Sequence, residues 1–440
     1  MVPSEDSMHI TITKDKIATI SLLMIYYVFL VLSYINWLSP RYSYIGFIIS
    51  TDTFYIIMGV IAALGLSCIT YSLIQRGKCT DIMILLLILL YFYPQIVLYS
   101  YNMNDTLFLL FVFCYLGGLL LFNHVIHLSP KKARVESHID VFLLIVVAFG
   151  LFMIALSGVV TKFRISFDLS DYYEYRYSVR EMAMPDVIRY PFSWVKQILP
   201  IGLVYAIIKK KWGLASFVAF SVILCFSFDG KKSVLFIFVL ALIVGFFYKR
   251  EYVCHFPIYM IFLNIGVFLE MIFRQGESFL GKHVLRRLMF IPAHLGWSFY
   301  NFFSTHELDY LRSSVLRRFG FKSPYSDSLA RVIAAANNAY NDRGISNANT
   351  GLCGDAFANF GWLSVIIYPF IIILTFKLLE KYMSDLDDKL QIIICVIVSY
   401  AMLSGSFFTV LSTNGVLLII FLLMLVPRTK ETPLAERTLI

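Results

Sequence analysis

Uninterrupted apolar stretches of about twenty residues recur along the whole length of this chain. A helix needs roughly that many to cross some 30 Å of hydrocarbon. The stretches fall at about 17–36, 53–74, 82–100, 105–123, 139–160, 191–208, 212–228, 233–248, 253–273, 361–380, 390–410 and 413–427. They predict about twelve transmembrane helices. Spanning barrels are built from short alternating segments, so the fold class predicted is an all-α polytopic membrane protein. Composition agrees, with 59% of the 440 residues hydrophobic and 15% charged, against roughly 45–50% and 25% in soluble domains. A soluble, nucleic-acid-binding or disordered protein is excluded despite a formal net charge of +9. The polar start from Met1 to Lys16 runs into a full-length span with no small-residue cleavage site behind it, which predicts no cleavable signal peptide.

Charge then orients the spans. With the N-terminus inside, the inner segments hold 18 of the 37 Lys and Arg, among them Lys131, Lys132, Lys209 to Lys211, Lys377 and Lys381. The short outer turns hold only Arg41, Lys231 and Lys232. Basic residues in short loops stay on the cytoplasmic side, so both termini are expected in the cytoplasm. The chain divides into helices 1–5 (1–160), a first large outer loop (161–190), helices 6–9 (191–273), a second large outer loop (274–360), and helices 10–12 with a cytoplasmic tail (361–440). Arg supplies 13 of 19 outer bases but 5 of 18 inner ones. Orientation needs charge of either type, whereas gripping phosphate or carboxylate favours the planar guanidinium. In 161–190 five bases face five acids, which fits plain ion pairing; in 274–360 ten face six, leaving an excess suited to an anion.

The seven cysteines form neither a disulfide framework nor a metal-type Cys/His spacing. No Walker or Rossmann glycine pattern is present, and the inner loops are too short for a nucleotide-binding domain. No cofactor or metal is therefore expected.

Four outer features could carry chemistry. In Tyr172-Tyr173-Glu174-Tyr175-Arg176-Tyr177-Ser178-Val179-Arg180-Glu181, a helical turn would aim Arg176 and Arg180 the same way, between tyrosine faces suited to sugar rings. An interfacial aromatic belt with Arg–Glu pairs explains the same residues. The turn Phe228-Asp229-Gly230-Lys231-Lys232-Ser233 places two lysines against the orientation rule, beside a glycine whose neighbouring N–H groups suit a phosphate. Asp229 alternatively neutralises one lysine. The third feature runs from Arg274 to Tyr300 around His283-Val284-Leu285-Arg286-Arg287-Leu288-Met289-Phe290-Ile291-Pro292-Ala293-His294. On an α-helix His283 and Arg287 share a face, with Phe290 and His294 near it until Pro292 disturbs the geometry. Glu270, four residues before Arg274, reads as its ion-pair partner. His294 reads equally as a packed histidine or as a group orienting substrate. The fourth, Asn347-Ala348-Asn349-Thr350-Gly351-Leu352-Cys353-Gly354-Asp355-Ala356-Phe357-Ala358-Asn359-Phe360-Gly361-Trp362, is small and polar. Asn349 and Asp355 could bond sugar hydroxyls, or the stretch is a packed loop-to-helix passage with Asp355 near a helix start.

This arrangement resembles the Wzy-type O-antigen and capsule repeat-unit polymerases of bacterial inner membranes. The likeness rests on the many-span layout and the Gly-Lys-Lys-Ser turn. It rests also on the Arg-Arg…Phe-Ile-Pro segment followed by Tyr300 and Phe302-Phe303, and on the Asn-Thr-Gly…Gly-Asp-Ala…Asn-Phe-Gly stretch. By motif it covers roughly residues 160–365 and elsewhere topology alone. The resemblance implies a GT-C-like membrane glycosyltransferase of the lipopolysaccharide pathway, needing no nucleotide sugar and no metal. Its substrates would be undecaprenyl-pyrophosphate-linked oligosaccharides at the periplasmic face, and its neighbours a flippase and a chain-length regulator. Family arginines of the two large loops would correspond to Arg176 or Arg180 and to Arg286 or Arg287.

The residues are compatible with that chemistry. Pyrophosphate leaves as a multiply charged anion, which fixed Arg and Lys donors stabilise. Asp229, His294 and Asp355 are the candidates to place or deprotonate an acceptor hydroxyl. The substrate-binding candidates are Arg176, Arg180, Lys231, Lys232, Arg274, Arg286, Arg287, Tyr300 and Asn349. A lipid-linked oligosaccharide flippase would also be polytopic and basic, but such transporters show repeats and charges near mid-span. An O-antigen ligase shares the layout and stays open.

Overall fold

The computed structural model describes residues 5–103, 105–131, 136–160, 185–229, 232–274, 278–337, 340–341, 344–345 and 347–426. Among them, eight helices are long and apolar enough to cross a membrane, from Lys16–Ile45 through Leu352–Met383. Three shorter apolar helices, Trp212–Phe228, Ser233–Phe247 and Val416–Leu425, fall on further predicted stretches, and 390–410 holds the helix Asp388–Ser404. The chain is an all-helical, multi-pass membrane protein. One two-residue antiparallel pair, Tyr340–Asn341 with Gly344–Ile345, is the described β-structure.

The described chain gathers into two compact units. The first comprises Met1–Ile126, Glu251–Thr375 and Ser399–Phe408. Its central helix, Cys79–Asn102, has 94% of its most apolar window buried in protein. Two π-helical turns, Ile88–Phe92 and Tyr99–Met103, interrupt that helix. Such turns shift the backbone bonds to i→i+5 and disturb the regular ladder. Neighbouring side chains bond across this region: the Tyr26 hydroxyl donates to Leu89 O (2.7 Å), and Gln95 Nε2 donates to Ala293 O (2.8 Å). Gly118 lets Thr106–Val125 approach the helix Ser364–Met383, since a Cβ there would lie 2.5 Å from Val365 O. Asp52 and Asp105 start their helices by accepting from Phe54 N and Phe108 N, the side-chain cap expected of an aspartate. Phe54, Ile57, Ile61 and Leu64 lie exposed at helical spacing, an outward apolar face that lipid tolerates and water penalises.

The second unit comprises His127–Arg250, Phe376–Val398 and Thr409–Ile440. Glu136–Val160, Trp212–Asp229 and Lys232–Phe247 pack around Asp186–Ile208. Charged groups at the helix ends hold the connections: Arg250 Nη1 donates to Gln391 Oε1 (2.8 Å) and Asp388 Oδ1 (3.2 Å). Lys389 Nζ donates to Gly245 O (2.8 Å), and Lys211 pairs with Asp140 (3.6 Å).

Candidate functional site: a basic turn on an aromatic cradle

The span Arg250–Phe273 ends beside Arg274, whose side chain is exposed. Glu270 does not pair with Arg274 among the described residues. Its Oε2 accepts instead from Ser278 Oγ (2.7 Å) and Leu280 N (2.8 Å), and Ser278 Oγ accepts from Gly281 N (2.8 Å). A carboxylate and a hydroxyl thus satisfy N–H groups at the start of the next helix, where orphan donors need acceptors.

That helix, Gly281–Phe290, is a ten-residue π-helical segment, whereas the sequence predicted an α-helical face. In the i→i+5 register, residues four and five apart become neighbours, which gathers Lys282, Arg286 and Arg287 on one side. Leu285, Met289 and Phe290 are buried on the other; Lys282 and Arg287 are exposed and Arg286 half-buried. Pro292 lies inside a helical run that continues without a break from the π-helical segment into Ile291–Phe303. Its missing N–H removes one backbone bond there, and the irregular π register directly precedes it.

Gly281 is glycine because Trp37 lies against it: a Cβ would fall 2.6 Å from Trp37 Cζ2. Trp37 belongs to another π-helical turn, Tyr34–Leu38, and meets Tyr42 edge-on with ring centroids 5.6 Å apart. The Arg286 guanidinium lies over Tyr42 at 4.4 Å from the ring centroid, and that of Arg41 lies 5.9 Å from Trp37. Two guanidinium groups thus lie on one aromatic cradle, with Lys282 and Arg287 on the same helical segment as Arg286. Arg286 Nε and Trp37 Nε1 are both buried without a hydrogen-bond partner among the described residues, and a buried unpaired donor is costly. Arg41, Trp37 and Tyr42 were not singled out from the sequence as binding residues. The cluster Trp37-Leu38-Ser39-Pro40-Arg41-Tyr42-Ser43-Tyr44 was the available signal: a short turn carrying an arginine among aromatics.

Of the remaining described candidates, His294, Tyr300 and Asp355 are buried. His294 is 6% exposed, hydrogen-bonded to the Gly46 backbone and packed on Phe47 at 4.9 Å. Burial pushes its pKa down from 6.5 to about 4, with the Gly46 bond acting weakly the other way. Gly46 has φ +101°, a conformation that favours glycine, so His294 braces a left-handed turn. Tyr300 packs among Phe108, Phe111 and Phe357, its ring 4.5 Å from the last. Asp355 lies in the first turn of the helix Leu352–Phe360; its Oδ2 accepts from Phe407 N (2.8 Å) and its Oδ1 from Asn359 Nδ2 (3.3 Å). That geometry suits the packed-passage reading of the fourth feature. Asn349 is exposed just before it.

Arg286 and Arg287 are therefore brought near Arg41 and Lys282, while His294, Tyr300 and Asp355 are buried on the helices Ile291–Phe303 and Leu352–Phe360. Arg176, Arg180 and Lys231 lie outside the described residues, as do the side chains of Asp229 and Lys232, which end and begin the helices Trp212–Asp229 and Lys232–Phe247. No group of His, Cys, Asp and Glu among the described residues is arranged to hold a metal ion. No family model, curated protein or solved structure matches the chain.

Proposed function

We propose that this protein is a Wzy-type polymerase, a membrane glycosyltransferase that joins undecaprenyl-pyrophosphate-linked repeat units into O-antigen or capsular polysaccharide. In this reading it crosses the bacterial inner membrane about twelve times in a GT-C-like arrangement, with both termini cytoplasmic. The observation that supports it is the placing of Arg41 and Arg286 on the rings of Trp37 and Tyr42, with Lys282 and Arg287 on the same helical segment as Arg286. Fixed guanidinium groups stabilise negative charge as it develops on a departing pyrophosphate, and aromatic faces beside them suit a sugar ring. The half-buried Arg286 has its orientation set by Tyr42, whereas the exposed Arg287 is free to reach a ligand. His294, neutral and enclosed, fits packing better than proton transfer.

The test is an assay on purified protein with lipid-linked repeat units and chelator present. Arg287→Ala should slow chain growth by about 30- to 1,000-fold, the effect of roughly 2–4 kcal/mol of lost transition-state stabilisation. Arg287→Lys should restore part, because an ammonium keeps the charge and loses the fork. Arg331→Ala, at an exposed pair with Asp327, is the control. Wild-type rates for Arg287→Ala would remove the anion grip from that residue. In cells, a deletion strain whose lipid A core carries one repeat unit indicates a polymerase, and an uncapped core indicates a ligase.

A further inference from the structure

Within the second unit, a recess of about 260 Å³ opens where three helix ends meet. Ile207 closes the end of Asp186–Ile208, Trp212 begins the next helix, and Phe246 comes from the end of Lys232–Phe247. The Trp212 and Phe246 rings stack at 6.0 Å with 12° between their planes, yet both remain about half exposed. Lys210, Lys389 and Asp387 supply the charge.

The cationic groups are held open to the recess. Lys389 Nζ donates to Gly245 O at 2.8 Å and to Phe246 O at 3.5 Å, and an ammonium has a third proton to give. Lys210 is exposed and its ammonium has no partner among the described residues. Its backbone is in the left-handed region at φ +54°, in a turn closed by Lys210 N to Ile207 O and Lys211 N to Ala206 O. The nearby Lys211 is occupied by Asp140, and Arg250 by Asp388 and Gln391. Asp387 Oδ1 accepts from Lys389 N (2.8 Å). Two ammonium groups against one carboxylate leave the recess a net positive charge, with a carboxylate able to accept from hydroxyls.

The surface leading away is apolar. Phe236, Val239, Ile243 and Phe246 are exposed at spacings of three and four along Lys232–Phe247, a single stripe running the length of that helix to the recess. A tryptophan beside lysines at the end of such a stripe is the pattern of a membrane–water border.

We infer that this recess is the headgroup site for one anionic, hydroxyl-bearing phospholipid of the phosphatidylglycerol type, whose acyl chains lie along the Phe236–Phe246 stripe. The phosphodiester meets Lys210 and Lys389, the glycerol hydroxyls donate to Asp387, and the Trp212–Phe246 stack walls off the upper acyl region. The inference does not depend on the reaction the protein performs. A phosphodiester anion could also come from a soluble molecule, and the stripe is what favours the lipid.

The experiment uses the full-length protein, delipidated in neutral detergent and offered equimolar phosphatidylglycerol, phosphatidylethanolamine and phosphatidylcholine. Native mass spectrometry reads the lipid retained. Phosphatidylglycerol should be kept about fivefold over either zwitterionic lipid, and Lys210→Asn should lower its retention about fivefold, the worth of one lysine at an anionic surface. Asparagine tolerates the left-handed turn, so the substitution removes charge and spares the backbone. Trp212→Leu, on an exposed side chain, is the second variant and should also reduce retention, while Lys322→Asn in the first unit should not. Equal retention of the three lipids, or unchanged retention in both recess variants, would mean ordinary surrounding lipid and overturn the inference. Displacement of phosphatidylglycerol by equal concentrations of glycerol phosphate would overturn the lipid assignment in favour of a simple phosphate site.

Discussion

Replacing His294 by glutamine separates a packing role from a chemical one. The ring is enclosed between Phe47 and the Gly46 turn, and burial holds its pKa at about 4. In the unfolded chain the same imidazole protonates below about 6.5. Through that window the unfolded state binds the extra proton and the folded state does not, so stability falls as pH drops from about 6.5 to about 4. Above pH 7 both states are neutral and the residue adds no pH dependence. The full difference amounts to about 3 kcal/mol at 1.36 kcal/mol per unit. Glutamine cannot titrate, and the lost bond to Gly46 costs about 1 kcal/mol at every pH. The assay is the thermal unfolding midpoint of detergent-solubilised wild type and His294→Gln from pH 7.5 to 4.5. The wild type should begin more stable and lose that lead as the pH falls, because all other titrating groups cancel in the comparison. Parallel curves would refute the buried neutral histidine. A variant that keeps the wild-type midpoint but makes no polymer would refute the packing role itself.

Three further outcomes are expected. Arg286→Ala and Tyr42→Ala, combined in a double-mutant cycle on unfolding free energy, should couple by about 0.5–2 kcal/mol; strict additivity would show that the guanidinium does not sit on that ring. Asp355→Ala strips the acceptor from Phe407 N and should destabilise by about 1–3 kcal/mol, whereas Asp355→Asn keeps an oxygen there and should recover most of the folded yield. An asparagine variant that is well folded and inactive would instead point to chemistry at Asp355. Reporter fusions after Lys211 and Lys381 should report one face of the membrane and a fusion near Tyr325 the other; agreement of all three would rule out the proposed topology.

The helices were legible because a run of twenty apolar side chains carries its own instruction, whatever surrounds it. The Arg286–Arg287 pair was legible for a similar reason, as adjacent charges in a segment too polar for lipid. What escaped was everything set by distant partners. The π register of Gly281–Phe290 accompanies the close approach of Trp37 to Gly281, and nothing within the ten residues announces it. Arg41 and Tyr42 join the basic turn only because their span packs beside it, so an arginine that looked like a connector became part of the cradle. His294 follows the two arginines by seven and eight residues in sequence, but its burial is the work of Gly46 and Phe47. Asp355 was partly readable: its place at a helix start could be seen, whereas its bond to Phe407 N crosses 52 residues.

The enclosure of Cys79–Asn102 bears on how the protein is made. A helix with protein on nearly every side carries polar atoms that lipid would reject, and Gln95 meets its acceptor, Ala293 O, 198 residues later. At about 5–20 residues per second, translation takes roughly 10–40 s to deliver that partner. During that interval the nascent chain holds a span with Gln95 on it and without the Ala293 carbonyl that its amide meets in the folded protein. The early spans are therefore expected to stay with the insertion machinery, released as a group once the region around Ala293 has emerged. Ribosome-stalled chains ending near residue 280 should crosslink to that machinery through position 95, and chains ending near residue 370 should not; equal crosslinking of the two lengths would show that Cys79–Asn102 enters the lipid unaccompanied.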